Sequence, residues 1–270
     1  MKNNSMTVKD VLNCITEIAP LQWQESYDNA GLQVGDLEGE VHKALICLDI
    51  TEEIVDEAIA KGCDLIVSHH PLIFRGLKHL TPETYIERAV MKAIRHNIAM
   101  ISMHTNLDNS HLGVSRVLAE RLGLKRLHIL QPSAAEPELC GAGMMGEFDQ
   151  PMEETAFLSL VAEQLGSPCL HHSALTGRSI WRVALCGGSG SPFMQDALRL
   201  KADAYLTADI KYHDFFVPEG RMLLVDGGHF ETEQFTKELI YELIRKKFPT
   251  FAAEIAETNT NAIHYFVRNK

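Results

Sequence analysis

The sequence has few cysteines, and none of them are paired in a spacing typical of metal or redox sites. Six cysteines are spread over 270 residues, and no two of them form a C-x-x-C motif. This spacing excludes a zinc ribbon and gives no sign of a disulfide framework. We therefore expect most of the thiols to be buried as small apolar side chains.

Long apolar runs are also missing. The first 20 residues, MKNNSMTVKDVLNCITEIAP, contain no uninterrupted apolar segment of the kind found in secretory signals. No later run reaches the roughly 20 apolar residues that cross a bilayer. These absences predict a cytoplasmic protein that has no membrane partner.

Positive charge is scarce and scattered. The chain has 25 Lys and Arg residues against 36 Asp and Glu residues, which gives a formal net charge of −11. A protein that binds the phosphate backbone needs a basic stripe or a Lys/Arg-rich run. The charge therefore argues against nucleic acid as a partner and favours a small-molecule substrate.

Short apolar runs alternate with amphipathic segments along the chain. The runs predict buried strands at residues 43–49, 64–68, 98–102, 181–186 and 221–226. Helical spacing of apolar residues predicts helices within residues 51–62, 82–97 and 115–123. Residues 131–148, rich in Pro, Gly and Ala, are interpreted as a crossing between two lobes. The order of elements predicts an α/β fold with largely parallel pairing.

Potential metal ligands stand in three loops that follow such strands. The loops carry these six residues: His69 and His70 after DLIVS, His104 and Asp108 after MISM, and His229 and Glu233 after LLVD. In parallel α/β sheets, ligands bind beyond the carboxyl ends of the strands. The three loops are therefore expected to form a metal site.

The chemistry of these residues suits a pair of ions. Neighbouring side chains of an extended backbone point to opposite sides, so His69 and His70 would serve two neighbouring ions rather than chelate one. His229 and Glu233 have the i, i+4 spacing that places both on one helix face. The two oxygens of Asp108 can bridge two cations. Three imidazoles and two carboxylates suit Zn, Fe, Mn or Co and leave positions for water.

Each residue alone has a simpler interpretation. Histidines at a strand end can be surface residues or hydrogen-bond partners of a ligand, and Asp108 can cap a turn or a helix. Glu231 and Glu233 can complement the dipole in the first turn of a helix. The joint pattern on three equivalent loops favours the metal site over these separate interpretations.

Several motifs, in order over nearly the whole chain, resemble those of a known family. They are YDNAGLQVG, ALICLD with DLIVSHHPLIF, HTNLD, CGGSG, TADIKYH and GHFETE. The family comprises the NIF-three-like and YbgI proteins, which are dinuclear metal-centre proteins known as GTP cyclohydrolase type-2-like. The resemblance implies two divalent metal ions, held by His69, His70, Asp108, His229 and Glu233.

The resemblance also implies an architecture of two related α/β lobes with mostly parallel sheets, the first completed by the C-terminal segment. We accordingly predict a first lobe of residues 1–130 plus 222–270 that carries the metal ligands, a second lobe of residues 131–221, and no inserted third domain. Family members form homohexameric toroids, trimers of dimers with the metal sites facing the interior. Glu231 replaces a small residue of the family and is expected to face solvent.

Further residues are assigned to catalysis and substrate binding. His104 is the predicted acid/base group, with a hydrogen bond to a metal ligand as the alternative role. Lys211 and His213 in TADIKYH are predicted to contact a phosphate or polar substrate, or else to belong to an interface. Cys186 in CGGSG is interpreted as a packing thiol.

Two functions follow. The first is a dinuclear metal-dependent hydrolase acting on a nucleotide or related small molecule, with ring opening of GTP by metal-activated water as the specific form. The alternative is a non-catalytic metal-binding scaffold or interaction protein that forms a ring. A closed coordination sphere would favour the scaffold, whereas positions open to water would favour the enzyme.

Overall fold

The structure is a computed structural model that describes residues 5–266. Its strands are β1 (Gly31–Val34), β2 (Lys43–Cys47), β3 (Leu65–Ser68), β4 (Ala99–Ser102), β5 (Lys125–Pro132), β6 (Gly141–Met152), β7 (His171–His172), β8 (Ile180–Leu185), β9 (Ala204–Thr207), β10 (Leu223–Asp226) and β11 (Ala252–Ile255). Its helices are α1 (Val8–Thr16), α2 (Glu52–Ala60), α3 (Tyr85–Arg95), α4 (Thr105–Asp108), α5 (Val114–Arg121), α6 (Glu154–Leu165), α7 (Met194–Arg199), α8 (His229–Glu233) and α9 (Thr236–Lys247). The α/β class predicted from the sequence is confirmed.

The chain divides into two compact units. Within the described residues, the first contains residues 5–107 together with Thr236–Thr260, and the second contains Asp108–Phe235 together with residues 261–266. No third domain is present within residues 5–266, as predicted. In the same part of the chain, no helix combines the length and the apolar content that a membrane span requires.

The sheet of the first unit has the order β1-β4-β3-β2-β11 and is parallel except for β1. Every residue of β3 and β4 is buried, as expected of parallel strands covered on both faces. Alternate residues of β2, β3 and β4 pack against the apolar sides of α2 and α3. The hydroxyl of Thr51 accepts a hydrogen bond from the helix amide of Ile54 and fixes where α2 begins.

The sheet of the second unit has the order β5-β6-β8-β9-β10-β7. The pairs β8–β9 and β9–β10 are parallel, whereas β5–β6, β6–β8 and β10–β7 are antiparallel, so this sheet is mixed rather than mostly parallel. One face packs against α5 and α6 around Phe157, and the other packs against α7 around Tyr205. The central strands are thus buried on both faces.

The segment interpreted as a crossing, residues 131–148, is instead the end of β5 and most of β6, which form an antiparallel pair. Its glycines permit a close approach of two backbones. A Cβ on Gly141 would lie 2.3 Å from the carbonyl oxygen of Gln131, so only glycine fits there.

The limits of the units differ from those of the predicted lobes. The predicted first lobe includes residues 108–130, 222–235 and 261–266, which the structure places in the second unit. Backbone pairing gives the reason, because β5 pairs with β6 and β10 pairs with β9. Asp108, His229 and Glu233 consequently belong to the second unit, whereas His69 and His70 belong to the first.

Candidate metal centre

Three imidazoles lie together in the first unit. The histidine cluster consists of His69 and His70, which follow β3, and His104, which follows β4. Because β3 and β4 are parallel neighbours, their carboxyl ends lie at the same edge of the sheet. The ring centroid of His69 is 4.8 Å from that of His70 and 5.5 Å from that of His104, and the His70 and His104 centroids are 5.6 Å apart.

The two neighbouring histidines do not point to opposite sides as an extended backbone would require. The strand ends at Ser68, and the backbone bends at residues 69–70. The amide of His69 donates to the Cys47 carbonyl and the amide of His70 donates to the Leu48 carbonyl. The bend therefore brings the two rings side by side, with His69 fully buried.

Each ring of the cluster bonds to an oxygen acceptor through Nδ1. The acceptors are the Met103 carbonyl for His69 at 2.8 Å, Asp49 Oδ1 for His70 at 2.6 Å and Asp28 Oδ1 for His104 at 2.7 Å. An acceptor at Nδ1 fixes the tautomer in which Nδ1 carries the hydrogen and Nε2 carries the lone pair. This is the arrangement that orients histidines as metal ligands through Nε2.

Asp28 anchors His104 and the start of α4. Its Oδ2 accepts hydrogen bonds from the Thr105 amide at 3.0 Å and from the Thr105 hydroxyl. Burial would raise the pKa of this carboxyl, but the hydrogen bonds from His104 and Thr105 lower its pKa to about 2. Asp28 reaches the histidine cluster because β1 runs antiparallel to β4, so that its start lies beside the end of β4.

The second unit contains a His–Glu pair. His229 and Glu233 lie on α8, and Nε2 of His229 is 3.0 Å from Oε2 of Glu233, which confirms the expected i, i+4 arrangement on one helix. Nδ1 of His229 is 2.8 Å from Oδ2 of Asp209, two residues beyond β9. A ring with one nitrogen bonded to Asp209 and the other beside a buried carboxylate provides a donor set that could hold a cation.

The loop between β8 and α7 supports Glu233. A Cβ on Gly188 would lie 2.0 Å from Oε1 of Glu233, and the φ of Gly188 is +60°, so this position accepts only glycine without displacement of the Glu233 carboxylate. The amide of Gly188 donates to the Thr232 hydroxyl at 3.0 Å. The contact between this loop and α8 is therefore direct.

Two acidic side chains, Asp108 and Glu233, act on the buried thiol of Cys186. Burial, and then the negative charges of Asp108 and Glu233, raise the pKa of its thiol. Raised pKa values keep cysteines protonated and unreactive, as expected of a packing thiol. Asp108 is the last residue of α4 and belongs, like Glu233, to the second unit.

Glu231 does not face solvent, contrary to the expectation. It is 3% exposed, and its Oε1 accepts hydrogen bonds from the side-chain Nδ2 of Asn261 and from the Tyr265 hydroxyl, each at 3.0 Å. Burial and the hydrogen bond to Glu231 raise the pKa of Tyr265 to about 12. Glu231 is buried because Asn261 and Tyr265 of the second unit hydrogen-bond to it. No local sequence pattern predicts this interaction.

Lys211 and His213 lie on the surface. Lys211 precedes the 3-10 helix Tyr212–Phe216 and follows Asp209 by two residues. Both side chains are exposed, and the ring of His213 contacts the exposed ring of Tyr212. The structure therefore leaves both side chains accessible to a ligand.

Three aspartates that bond to these histidines, Asp28, Asp49 and Asp209, have no role in the sequence interpretation. Asp49 and Asp209 each stand two residues beyond the carboxyl end of a strand. Asp28 precedes β1, which pairs antiparallel with β4. All three lie within the quoted motifs YDNAGLQVG, ALICLD and TADIKYH. Their position at strand ends was the available signal, but the histidine that each one contacts depends on the fold.

Comparisons with known proteins identify relatives along the whole chain. The family model described as Duf34/NIF3 (NGG1p interacting factor 3) matches residues 6–262. A GTP cyclohydrolase 1 type 2 homolog of Clostridium perfringens is 36% identical over 231 residues, which are 84% of this chain and 87% of that protein. One of Streptococcus pneumoniae is 32% identical over 268 residues, covering 96% of this chain and 100% of that protein.

A solved structure has a fold similar to that of this chain. The crystal structure of a Staphylococcus aureus hypothetical protein superposes with a TM-score of 0.90 at 29% identity, and the alignment covers 97% of this chain and 100% of that one. The fold, the motifs and the family match thus point in one direction. The chain belongs to the Duf34/NIF3 family.

Proposed function

We propose that the protein is a dinuclear metal-dependent hydrolase that acts on a nucleotide or a related small molecule. The proposed ligands of two divalent ions are His69, His70, Asp108, His229 and Glu233. Mixed imidazole and carboxylate ligands suit Zn, Fe or Mn, so the ligand set does not select one metal. Relatives named GTP cyclohydrolase 1 type 2 homologs make GTP ring opening the first reaction to test.

One observation carries this proposal. Every histidine of the three loops bonds through Nδ1 to an oxygen acceptor, which is Met103, Asp49, Asp28 or Asp209. Exposed histidines such as His42 and His172 also bond to an oxygen through Nδ1. The loop histidines differ in their grouping, because the ring centroids of the histidine cluster lie within 5.6 Å of one another and His229 lies beside the buried Glu233. The partners preorganise the rings with Nε2 as the working atom.

The bound ions would act as Lewis acids and would lower the pKa of a bound water molecule to near neutrality. Within the chain, we assign proton transfer to His104. Its Nδ1 is committed to the buried Asp28, so Nε2 is the atom that would give a proton to the substrate or take one from it. Asp28 holds the ring in one orientation and stabilises its protonated form, which favours an acid/base cycle at Nε2.

Lys211 and His213 are proposed to contact a phosphate or another polar group of the substrate. Their support is exposure and their place two and four residues beyond Asp209, which holds His229. A lysine ammonium binds phosphate as a point charge. We further propose that the protein works in the cytoplasm as a homohexamer, a trimer of dimers, as its family resemblance implies.

The test is metal content per chain followed by product formation on the same metal-loaded sample. The substrates are GTP and a small panel of nucleotides and phosphodiesters. The variants are His70→Ala and Glu233→Ala, and the matched control is His96→Ala, an exposed histidine after α3. Light scattering records the oligomer in each case.

We expect about two ions per chain, turnover in wild type and His96→Ala, and loss of both metal and turnover in the two ligand variants. Wild-type metal content in both ligand variants would show that the ligand assignment is wrong. Bound metal without turnover on any substrate would overturn the hydrolase and leave the metal-binding scaffold as the function.

A further inference from the structure

We propose that Tyr27 and Phe74 form a stacking platform for the planar heterocycle of the substrate, and that Arg75 and Lys78 bind its phosphates. This inference rests on the proposed function and narrows its substrate class to nucleotides. All four residues belong to the first unit, as does the histidine cluster. They are distinct from Lys211 and His213.

The platform is a pair of exposed aromatic rings. Tyr27 is 65% exposed and Phe74 is 41% exposed, and their ring centroids are 6.4 Å apart at an interplanar angle of 63°. Exposed aromatic residues that contact each other keep large apolar faces in water, which is costly for a surface with no ligand. A planar ligand could cover either face.

The platform borders the proposed acid/base group. The ring centroid of Phe74 is 5.9 Å from that of His104, at an angle of 85°. A heterocycle that stacks on these rings would therefore lie beside His104, where ring opening requires it. The juxtaposition of an apolar platform and an imidazole with a fixed tautomer is typical of a binding site rather than of a scattered surface residue.

Hydrogen bonds between two separate segments hold the platform in place. The side-chain amide of Asn29 donates to the Ile73 carbonyl at 2.6 Å, and the Ile73 amide donates to Oε1 of Gln33 at 3.2 Å. These bonds connect the segment of Tyr27 to the segment of Phe74. A platform held in advance loses less conformational entropy when a ligand binds.

Positive charge continues from the platform. Residues 75–79, RGLKH, carry the exposed side chains of Arg75 and Lys78 in a chain with a formal net charge of −11. Guanidinium and ammonium groups are the usual partners of phosphate oxygens. Aromatic faces followed by cations match a base followed by phosphates, and this order favours a nucleotide over a neutral heterocycle.

The experiment separates the base from the phosphates. Calorimetric titration measures binding of GTP, guanosine and inorganic triphosphate to chelator-treated full-length protein, so that binding is read without turnover. The aromatic variants are Tyr27→Leu and Phe74→Leu, the charge variant is Arg75→Gln, and Phe74→Tyr conserves the ring. Tyr85→Leu is the matched control, because Tyr85 is 54% exposed on α3 of the same unit.

We expect Tyr27→Leu and Phe74→Leu to weaken GTP and guanosine binding by about 10-fold each, equivalent to about 1.4 kcal/mol, without an effect on triphosphate. Arg75→Gln should weaken GTP and triphosphate binding and spare guanosine. Phe74→Tyr and Tyr85→Leu should bind as wild type does. Metal content, measured separately, should be unchanged in all of them.

Three results would overturn the platform. They are wild-type protein that binds no guanosine, aromatic variants with unchanged affinity, and aromatic variants that change only the oligomer size in light scattering. The last result would assign the pair to a contact with a second copy of the chain. If His70→Ala loses metal but binds guanosine normally, the platform is supported. Guanosine binding is measured on chelator-treated protein, so it tests the platform even if the assignment of the metal ligands fails.

Discussion

Asp49 Oδ1 lies 2.6 Å from Nδ1 of His70, and the second oxygen of Asp49 accepts a hydrogen bond from the Thr260 hydroxyl at 2.8 Å. Burial would raise the pKa of Asp49, but the hydrogen bonds from His70 and Thr260 lower it. The carboxylate is therefore held from two sides, and the orientation of the His70 ring depends on it. Such partners decide how well a histidine binds metal.

Asp49→Asn should weaken metal binding without unfolding the first unit. The amide keeps the size of the carboxylate but removes its charge and can present its donor to His70, which disfavours the correct tautomer. We expect the affinity for the metal to fall by about 10- to 100-fold. Competition with a chromophoric chelator measures the affinity.

Asp56→Asn provides the control for Asp49→Asn. Asp56 forms an exposed ion pair with Lys92 at 2.8 Å, with its side chain 60% exposed, so its loss should leave metal affinity unchanged. Equal metal affinity in wild type and Asp49→Asn would contradict the orienting role of Asp49.

Gly188→Ala should expel metal by displacing a ligand. The added Cβ would meet Oε1 of Glu233 at 2.0 Å, so the carboxylate has to move. The left-handed backbone also costs about 1–2 kcal/mol with alanine. Gly220→Ala has the same backbone cost, because the φ of Gly220 is +71°, but its Cβ would meet nothing within 4 Å.

Comparison of the two glycine variants isolates the ligand effect. Urea unfolding should show a similar loss of stability in both, whereas elemental analysis should show metal loss in Gly188→Ala alone. If Gly188→Ala retained metal, or if Gly220→Ala lost metal to the same extent, the proposed displacement of Glu233 from the metal would be refuted.

Asp28→Asn should destabilise the protein at neutral pH but not in strong acid. The folded pKa of Asp28 is lowered from 3.8 to about 2, and its side chain is fully buried. A lowered folded pKa gives stability that is present above the unfolded pKa and lost as pH falls through the folded value. We expect a difference of about 2 kcal/mol at pH 7 that disappears between about pH 4 and pH 2.

Urea unfolding of chelator-treated protein at several pH values checks this behaviour of Asp28. Asp149→Asn serves as the control, since Asp149 is an exposed residue of β6 and its replacement should change little at any pH. A destabilisation by Asp28→Asn that persists undiminished at pH 2 would show that charge is not its cause.

Much of the fold was predictable because buried parallel strands are continuous apolar runs. Strands β2, β3 and β4 lie where the sequence predicts them, and so do β8 and β10. Strand β6 was missed because its glycines resemble a linker, whereas they serve the close approach of β5. A glycine that is required by a neighbouring strand looks the same in sequence as one required by a turn.

Part of the candidate site was also predictable from the sequence. The i, i+4 pair on α8 follows from local spacing alone. The partners of the histidines do not, because 76 residues separate Asp28 from His104 and 21 separate Asp49 from His70. Sequence patterns identify residues suited to a metal, but the acceptors that orient them are selected by the order of strands in the sheet.

The first sheet ends with a strand from the far end of the chain. Residues Ala252–Ile255 pair in parallel with Lys43–Cys47, and α9 just before them packs on α1. During synthesis on the ribosome, this edge of β2 therefore stays open until the residues through Ile255 have emerged. An open edge can pair with other chains, so the late arrival of β11 exposes the nascent chain to aggregation.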